Sequence, residues 1–323
     1  IVEMIRGGTV FFNDMYWEPV TVARVADEMG MRAAIGRLFI EASPGVVRPA
    51  CRRQSEELEA LMPQLPDRIQ ITYAPHAIYT VSGGMLRRIA GLSRATGQRI
   101  HIHAAETQEE YETSLEKHGM SPIAWLDECG LLGPRTILAH AVHLGDDDIA
   151  LIRERQAIVA HMPVSNAKLG SGRFRFAAVV EQAGCRTTIG TDGCASNNNL
   201  SMFDEMKSAA LSAKLEAGSP VAGRARTVFD CATRNGAETF GIDAGVIEPG
   251  RLADAMLIDL DHPAMVPGHH LVSNLVYSAD TSVVRTVICD GRVLMRDRVI
   301  PGEAEIVEAA RSAARKYAPL ALR

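Results

Sequence analysis

Through the first two-thirds of the chain, short apolar runs rich in β-forming residues alternate with longer stretches that are apolar every third or fourth position. Residues 9–12, 33–40, 69–73, 99–103, 136–140, 157–161 and 186–190 read as seven strands. Between them the periodicity predicts helices over 20–29, 52–61, 85–96, 108–117, 146–155 and 176–183. Gly30 is a C-cap signal for the first of these. Asp146, Asp147 and Asp148 open the helix at 146, where the helix dipole favours negative charge. Strands alternating with helices imply a parallel sheet, and this many units imply a barrel or a long doubly wound sheet. No G-x-G-x-x-G follows any strand, which weighs against the dinucleotide-binding version.

After about residue 245 the rhythm changes. A short strand is predicted at 253–258, and strands at 283–289 and 292–295 flank Asp290-Gly291, a strong hairpin signal. The expected organisation is a barrel over 1–245, a small β subdomain over 246–301 and a C-terminal helical segment over 302–323.

Composition narrows the function. The 323 residues carry 34 Lys+Arg against 39 Asp+Glu, a net charge of −5, with no basic run. Phosphate-backbone binding needs clustered Lys/Arg, so a nucleic-acid partner is not expected. No stretch approaches the roughly 20 unbroken apolar residues of a membrane helix. Six scattered cysteines without a C-x-x-C pair argue against a disulfide framework or a structural zinc site and point to a reducing cytoplasm.

Candidate chemistry lies at the strand ends. His76, His103, His140, His161 and Asp192 each close an apolar β run, at separations of 27, 37, 21 and 31 residues. That spacing is about one βα unit each time, and in a β/α barrel such ends converge on the rim where active sites are built. One histidine at a strand end is usually structural; five positions in this series are hard to produce by chance. His101 shares a face with His103 by strand alternation and is a second candidate ligand. His118, His262, His269 and His270 are expected to be solvated. Glu106, just past His103, is either a helix-terminus charge or a proton shuttle. Asp192, between Thr191 and Gly193, is a ligand or base candidate. Nitrogen and oxygen donors without thiolate suit a catalytic zinc or iron ion with an open water position. There is no G-x-S-x-G, Walker loop, H-E-x-x-H or H-x-E…P-C-x-x-C.

Ala74-Pro75-His76-Ala77, His103-Ala104-Ala105-Glu106-Thr107, Ala139-His140-Ala141-Val142-His143-Leu144, His161 to Leu169 and Gly190 to Asn198 together resemble the amidohydrolase superfamily. With Gly250-Arg251-Leu252-Ala253-Asp254 the likeness covers essentially the whole chain, and it is greatest to the 5-methylthioadenosine/S-adenosylhomocysteine deaminases. The resemblance implies a (β/α)8 metallo-dependent hydrolase barrel that lacks its first strand in this chain, with a small β subdomain. It implies hydrolytic deamination of an aminopurine nucleoside, with one divalent ion, zinc or iron. His103 and Asp192 would be metal ligands, Asp192 also accepting the proton of water, and His140 would hold the ion's hydroxide. Glu106 would protonate the ring nitrogen, His76 would hydrogen-bond the substrate, and His161 and Asn166 would shape the pocket rim. A homodimer with a small-molecule substrate and no membrane is the family expectation. The family's H-x-H motif, which supplies two further ligands from the first strand, is not found before His76, and the chain opens at Ile1 without an initiator Met. Either the chain is truncated or the missing part is supplied elsewhere, and a site with only His103 and Asp192 as protein ligands is expected to hold zinc weakly. Guanine-type or triazine aminohydrolases, or a metal-poor non-catalytic homologue, are the alternatives.

Overall fold

The computed structural model describes residues 1–321. The strands are β1 (Phe11–Asp14), β2 (Arg32–Phe39), β3 (Glu41–Ser43), β4 (Val46–Val47), β5 (Ile69–Pro75), β6 (Ile100–Ala104), β7 (Thr136–His140), β8 (Ile158–His161), β9 (Thr187–Ile189), β10 (Ala255–Ile258), β11 (Val284–Cys289) and β12 (Arg292–Met295). The helices are α1 (Val2–Arg6), α2 (Pro19–Glu28), α3 (Pro49–Leu61), α4 (Gly83–Thr96), α5 (Gln108–His118), α6 (Pro122–Glu128), α7 (Asp146–Glu154), α8 (Pro163–Lys168), α9 (Cys194–Asn197), α10 (Met202–Ala217), α11 (Ala225–Ala232), α12 (Arg234–Phe240), α13 (Leu271–Tyr277) and α14 (Glu303–Ala321).

Seven strands form one parallel sheet in the order β1-β2-β5-β6-β7-β8-β9. It is the sheet of a (β/α)8 barrel short of one strand, as the sequence led us to expect. Strand alternation divides the core into two layers. Ile100, Ile102, Leu138, Val159 and Ile189 face outward onto Leu86, Ile89, Ile123, Leu126, Ile149 and Ile152 of the surrounding helices. Ala34, Ile137, Ala139, Ile158 and Ala160 face inward with Phe240. In the β6–β7 register His101 and His103 lie beside Ile137 and Ala139, so both histidines belong to the inner layer. Because every strand runs the same way, all their C-terminal ends open on one rim.

The antiparallel sheet β10-β11-β12 turns at Asp290 (φ 53°) and Gly291 (φ 72°), the pair of left-handed residues that a tight hairpin needs. It is tied to the barrel floor by Arg32, which bonds Asp254 at 2.6 Å and Asp290 at 2.8 Å. The chain start, for which no element was predicted before residue 9, is helical. It forms α1, whose Ile5 packs into the apolar core with Val284, Val287 and Met295, and β1 begins two residues later than predicted. The predicted helix at 176–183 is a π-helical turn over Ala177–Gln182. Among the described residues no helix is long and apolar enough to cross a membrane.

Candidate active site

The rim collects the predicted strand-end residues. His76 follows β5, and its ring lies 4.9 Å from that of His103 on β6. The His103 and His140 rings stack at 5.5 Å and 18°. His103 Nδ1 is 2.7 Å from His76 O. A carbonyl only accepts, so the proton sits on Nδ1 and His103 Nε2 keeps its lone pair. His140 is set the same way: its Nδ1–H donates to Asn166 Oδ1 at 2.8 Å. The remaining His140 Nε2 lies 3.8 Å from Glu106 Oε2. Asp192 takes a left-handed backbone (φ 60°) after β9. Its Oδ1 accepts from Gly193 N at 2.6 Å, and its Oδ2 accepts from Ser165 Oγ at 2.6 Å.

Burial sets the protonation of these groups. It pulls His76 down to about 4, with the neighbouring His103 adding to the effect. Burial likewise lowers His103, assisted by His140, and takes His101 down to about 3. The imidazoles are therefore neutral at neutral pH, the form in which they can ligate or accept. Burial raises Tyr16, whose hydroxyl lies 3.5 Å from His76 Nε2 and is repelled by Asp192 and Glu106. Tyr16 and Tyr79 flank His76 at 6.2 and 5.9 Å, both edge-on.

Some positions differ from expectation. His161 ends β8 at the rim but is buried: it is 2% exposed, stacks on Phe174 at 4.2 Å, and among the described residues neither ring nitrogen has a hydrogen-bond partner. A strand-end position says nothing about which way the ring turns. Asn166 is buried behind His140 and orients it instead of lining the mouth. His118 is partly covered, stacked on Trp125 at 3.9 Å, and His262 caps a short turn by accepting from Ala264 N. His101 is held by Asn13 Nδ2 at 2.7 Å.

Several participants left little sequence trace. Tyr16 carries no pattern at all, and Ser165 lies within the His161 to Leu169 stretch without a role of its own. Glu110 was findable, because Thr107-x-x-Glu110 is a capping-box signature. Thr107 does cap α5, accepting from Glu110 N at 3.1 Å. The Glu110 carboxylate, however, reaches past it and accepts from Ala105 N at 3.0 Å and Glu106 N at 2.8 Å. Burial pushes Glu110 up to about 7.

Two imidazole Nε2 atoms and one carboxylate, without thiolate, suit a borderline divalent cation in kind. Among the described residues no three His, Cys, Asp or Glu side chains close around one point as a finished cage.

The Amidohydrolase family model matches residues 1–294. The 5′-deoxyadenosine deaminase of Methanothermobacter thermautotrophicus is 44% identical over 308 residues, 95% of this chain and 71% of that protein. The 5-methylthioadenosine/S-adenosylhomocysteine deaminase of Haloarcula marismortui is 43% identical over 304 residues, 93% of this chain and 70% of that protein. Among solved structures, an adenosine deaminase from Xanthomonas campestris with bound zinc superposes with a TM-score of 0.91 at 34% identity, covering 98% of this chain and 73% of that one. The inward ring of strand-end histidines, the Asp192 loop and these likenesses agree: the chain belongs to the amidohydrolase family.

Proposed function

We propose that the protein deaminates a 5′-substituted adenosine, water adding to the amino-bearing ring carbon as ammonia leaves. The observation that carries this is the stack of His103, whose Nε2 keeps its lone pair, on His140, whose Nε2 lies 3.8 Å from the Glu106 carboxylate beside the Asp192 loop. Support for the substrate class comes from the two deaminase relatives above. A divalent ion, zinc in the first instance, would be held by His103 and Asp192 with His140 adjoining; when bound it supplies a Lewis acid that lowers the pKa of water toward about 7.

The chain's own residues do the rest. Asp192, pinned by Ser165 and Gly193, takes the proton of the attacking water. Glu106 delivers a proton to the ring nitrogen next to the reacting carbon and regains one from the added hydroxyl as the carbon–nitrogen bond breaks, while Asp192 passes the water's proton to the departing amine. His140, fixed by Asn166, keeps its Nε2 toward the incoming water. His76 hydrogen-bonds the substrate, and His161 supports this wall from beneath through its stack on Phe174.

The test is ammonia release by the zinc-loaded chain with 5′-deoxyadenosine, 5-methylthioadenosine and S-adenosylhomocysteine. One ammonia per inosine-type product is expected. Turnover of guanine or a chlorotriazine without any adenosine derivative would overturn the substrate class. The unclosed donor set favours a second reading, a metal-poor chain that binds nucleoside without turnover. Zinc titration separates them: that reading requires nucleoside binding with neither zinc uptake nor ammonia release at any zinc concentration, and a stoichiometric zinc accompanied by ammonia release rules it out.

A further inference from the structure

Glu205 lies in the first turns of α10 and is 0% exposed. Its work is not helix capping, since Ser201 already accepts from Asp204 N and both Glu205 oxygens leave the helix. Oε2 accepts from Val164 N at 3.2 Å, at the start of α8. Oε1 accepts from Asn197 Nδ2 at 2.6 Å, at the end of α9. The same Asn197 nitrogen also donates to Thr191 O at 2.7 Å, the residue before Asp192. Among the described residues no cation offsets the charge, and the neighbouring Asp204 and Asp192 carboxyls both act against it. A buried carboxylate without a counter-charge is expensive, and an apolar residue of similar volume would usually cost less.

What the carboxylate joins explains its place. Directly after Val164, Ser165 donates to Asp192 Oδ2 and Asn166 accepts from His140 Nδ1. The opposite limb holds the Asp192 loop, whose backbone is left-handed at Asp192 (φ 60°) and Asn198 (φ 84°) and needs support from outside the segment. We propose that Glu205 is a positioning residue for the deamination site, clamping α8 to the β9–α9 loop so that Asp192 and His140 keep their relative placement. The proposal rests on the deaminase reading for its kinetic consequence, not for its structural one.

Glu205→Gln tests it with almost no change of volume. One side-chain oxygen becomes a donor and must face either Val164 N–H or the Asn197 amide. Asn197 cannot turn over to accept without placing its oxygen against Thr191 O. The expected result is a fall in kcat for 5′-deoxyadenosine of about 10–100-fold, the usual scale for losing an outer partner of a metal site. KM should stay nearly constant, because no substrate contact is removed. In the metal-free chain, backbone hydrogen exchange should rise at residues 164–166 and 191–198 and stay unchanged in α4 and α5. Asn197→Ala, which cuts one limb only, should give a smaller change in the same segments and serves if the Gln variant does not fold. Wild-type kcat and wild-type exchange in those segments, with only Tm lowered, would make Glu205 a packing residue and end the proposal. A wild-type chain without turnover would instead sink the deaminase reading, while the exchange measurement would still decide the clamp.

Discussion

Glu106 shows how one carboxylate can be told from a helix-terminus charge. It precedes the Thr107 cap, its own N–H is taken by Glu110, and Ala105 before it is left-handed (φ 52°). The turn therefore points its side chain across the rim, 3.8 Å from His140 Nε2 and within 3.4 Å of Ser171 Oγ. Glu106→Gln keeps the size and the hydrogen bonding but cannot deliver a proton. A positioned general acid contributes about 10²–10⁴-fold, so kcat should fall by that order with zinc content unchanged. A charge acting only on the helix dipole would instead cost at most about 1 kcal/mol of stability and leave the rate intact. Turnover near wild type in the Gln variant removes Glu106 from the proton path.

At the scale of elements, the parallel strands were readable because each is a short β-branched or apolar run bounded by polar turns, and their ends carried the site at one βα period. The helices over 202–240 went unread for a physical reason. The buried face of α10 is Phe203, Glu205, Met206, Ala209, Ala210 and Ala213, so a charge and three alanines blur the contrast between faces. Six-residue α8 is too short for a period to show, yet it carries both Ser165 and Asn166. Hydrogen bonds from such segments leave no spacing in the sequence, which is why Asn166 entered only through the resemblance and with a different role, while Ser165 and Glu205 were given none. Small residues inside the sheet matter equally. A Cβ on Gly36 in β2 would lie 2.7 Å from Ala74 Cβ and 2.7 Å from Asp14 O. Backbone on one side and a neighbouring strand on the other leave no room to give. Gly36→Ala should therefore cost roughly 1–3 kcal/mol, the usual range for overpacking. It would show as a lower urea midpoint with an unchanged m value. A midpoint equal to wild type would mean that β1 and β5 move apart freely at that point.

For the whole molecule, the buried titrating groups act in opposite directions on stability. Burial holds His76 near 4, His101 and His161 near 3, and His103 also below its ordinary value of 6.5. As pH drops below 6.5 the unfolded chain takes up protons at these positions and the folded chain does not, so stability is lost. Glu110 and Glu205, pushed up to about 7 by burial, do the reverse. Their folded forms hold protons that the unfolded chain releases above 4.5, so their contribution is present at low pH and fades as pH rises through 7. Between those limits four imidazoles oppose two carboxyls, with His76 counting for less because it lies at the open mouth. The unfolded chain then binds about one to two extra protons, and stability should fall by about 1–3 kcal/mol per pH unit on acidification. Below about 4.5 the unfolded glutamates protonate as well and the slope steepens; above about 6.5 the carboxyl contribution declines, partly offset by the Ile1 amino group, which burial holds below its ordinary value of 8.0. Urea unfolding of the metal-free chain should thus give a maximum near about pH 6.5. His161→Phe, which keeps the stack on Phe174, should reduce the acid-side slope by about one proton. A stability profile that stays level below about pH 6, or an unchanged slope in that variant, would show that the inner histidines accept protons in the folded state.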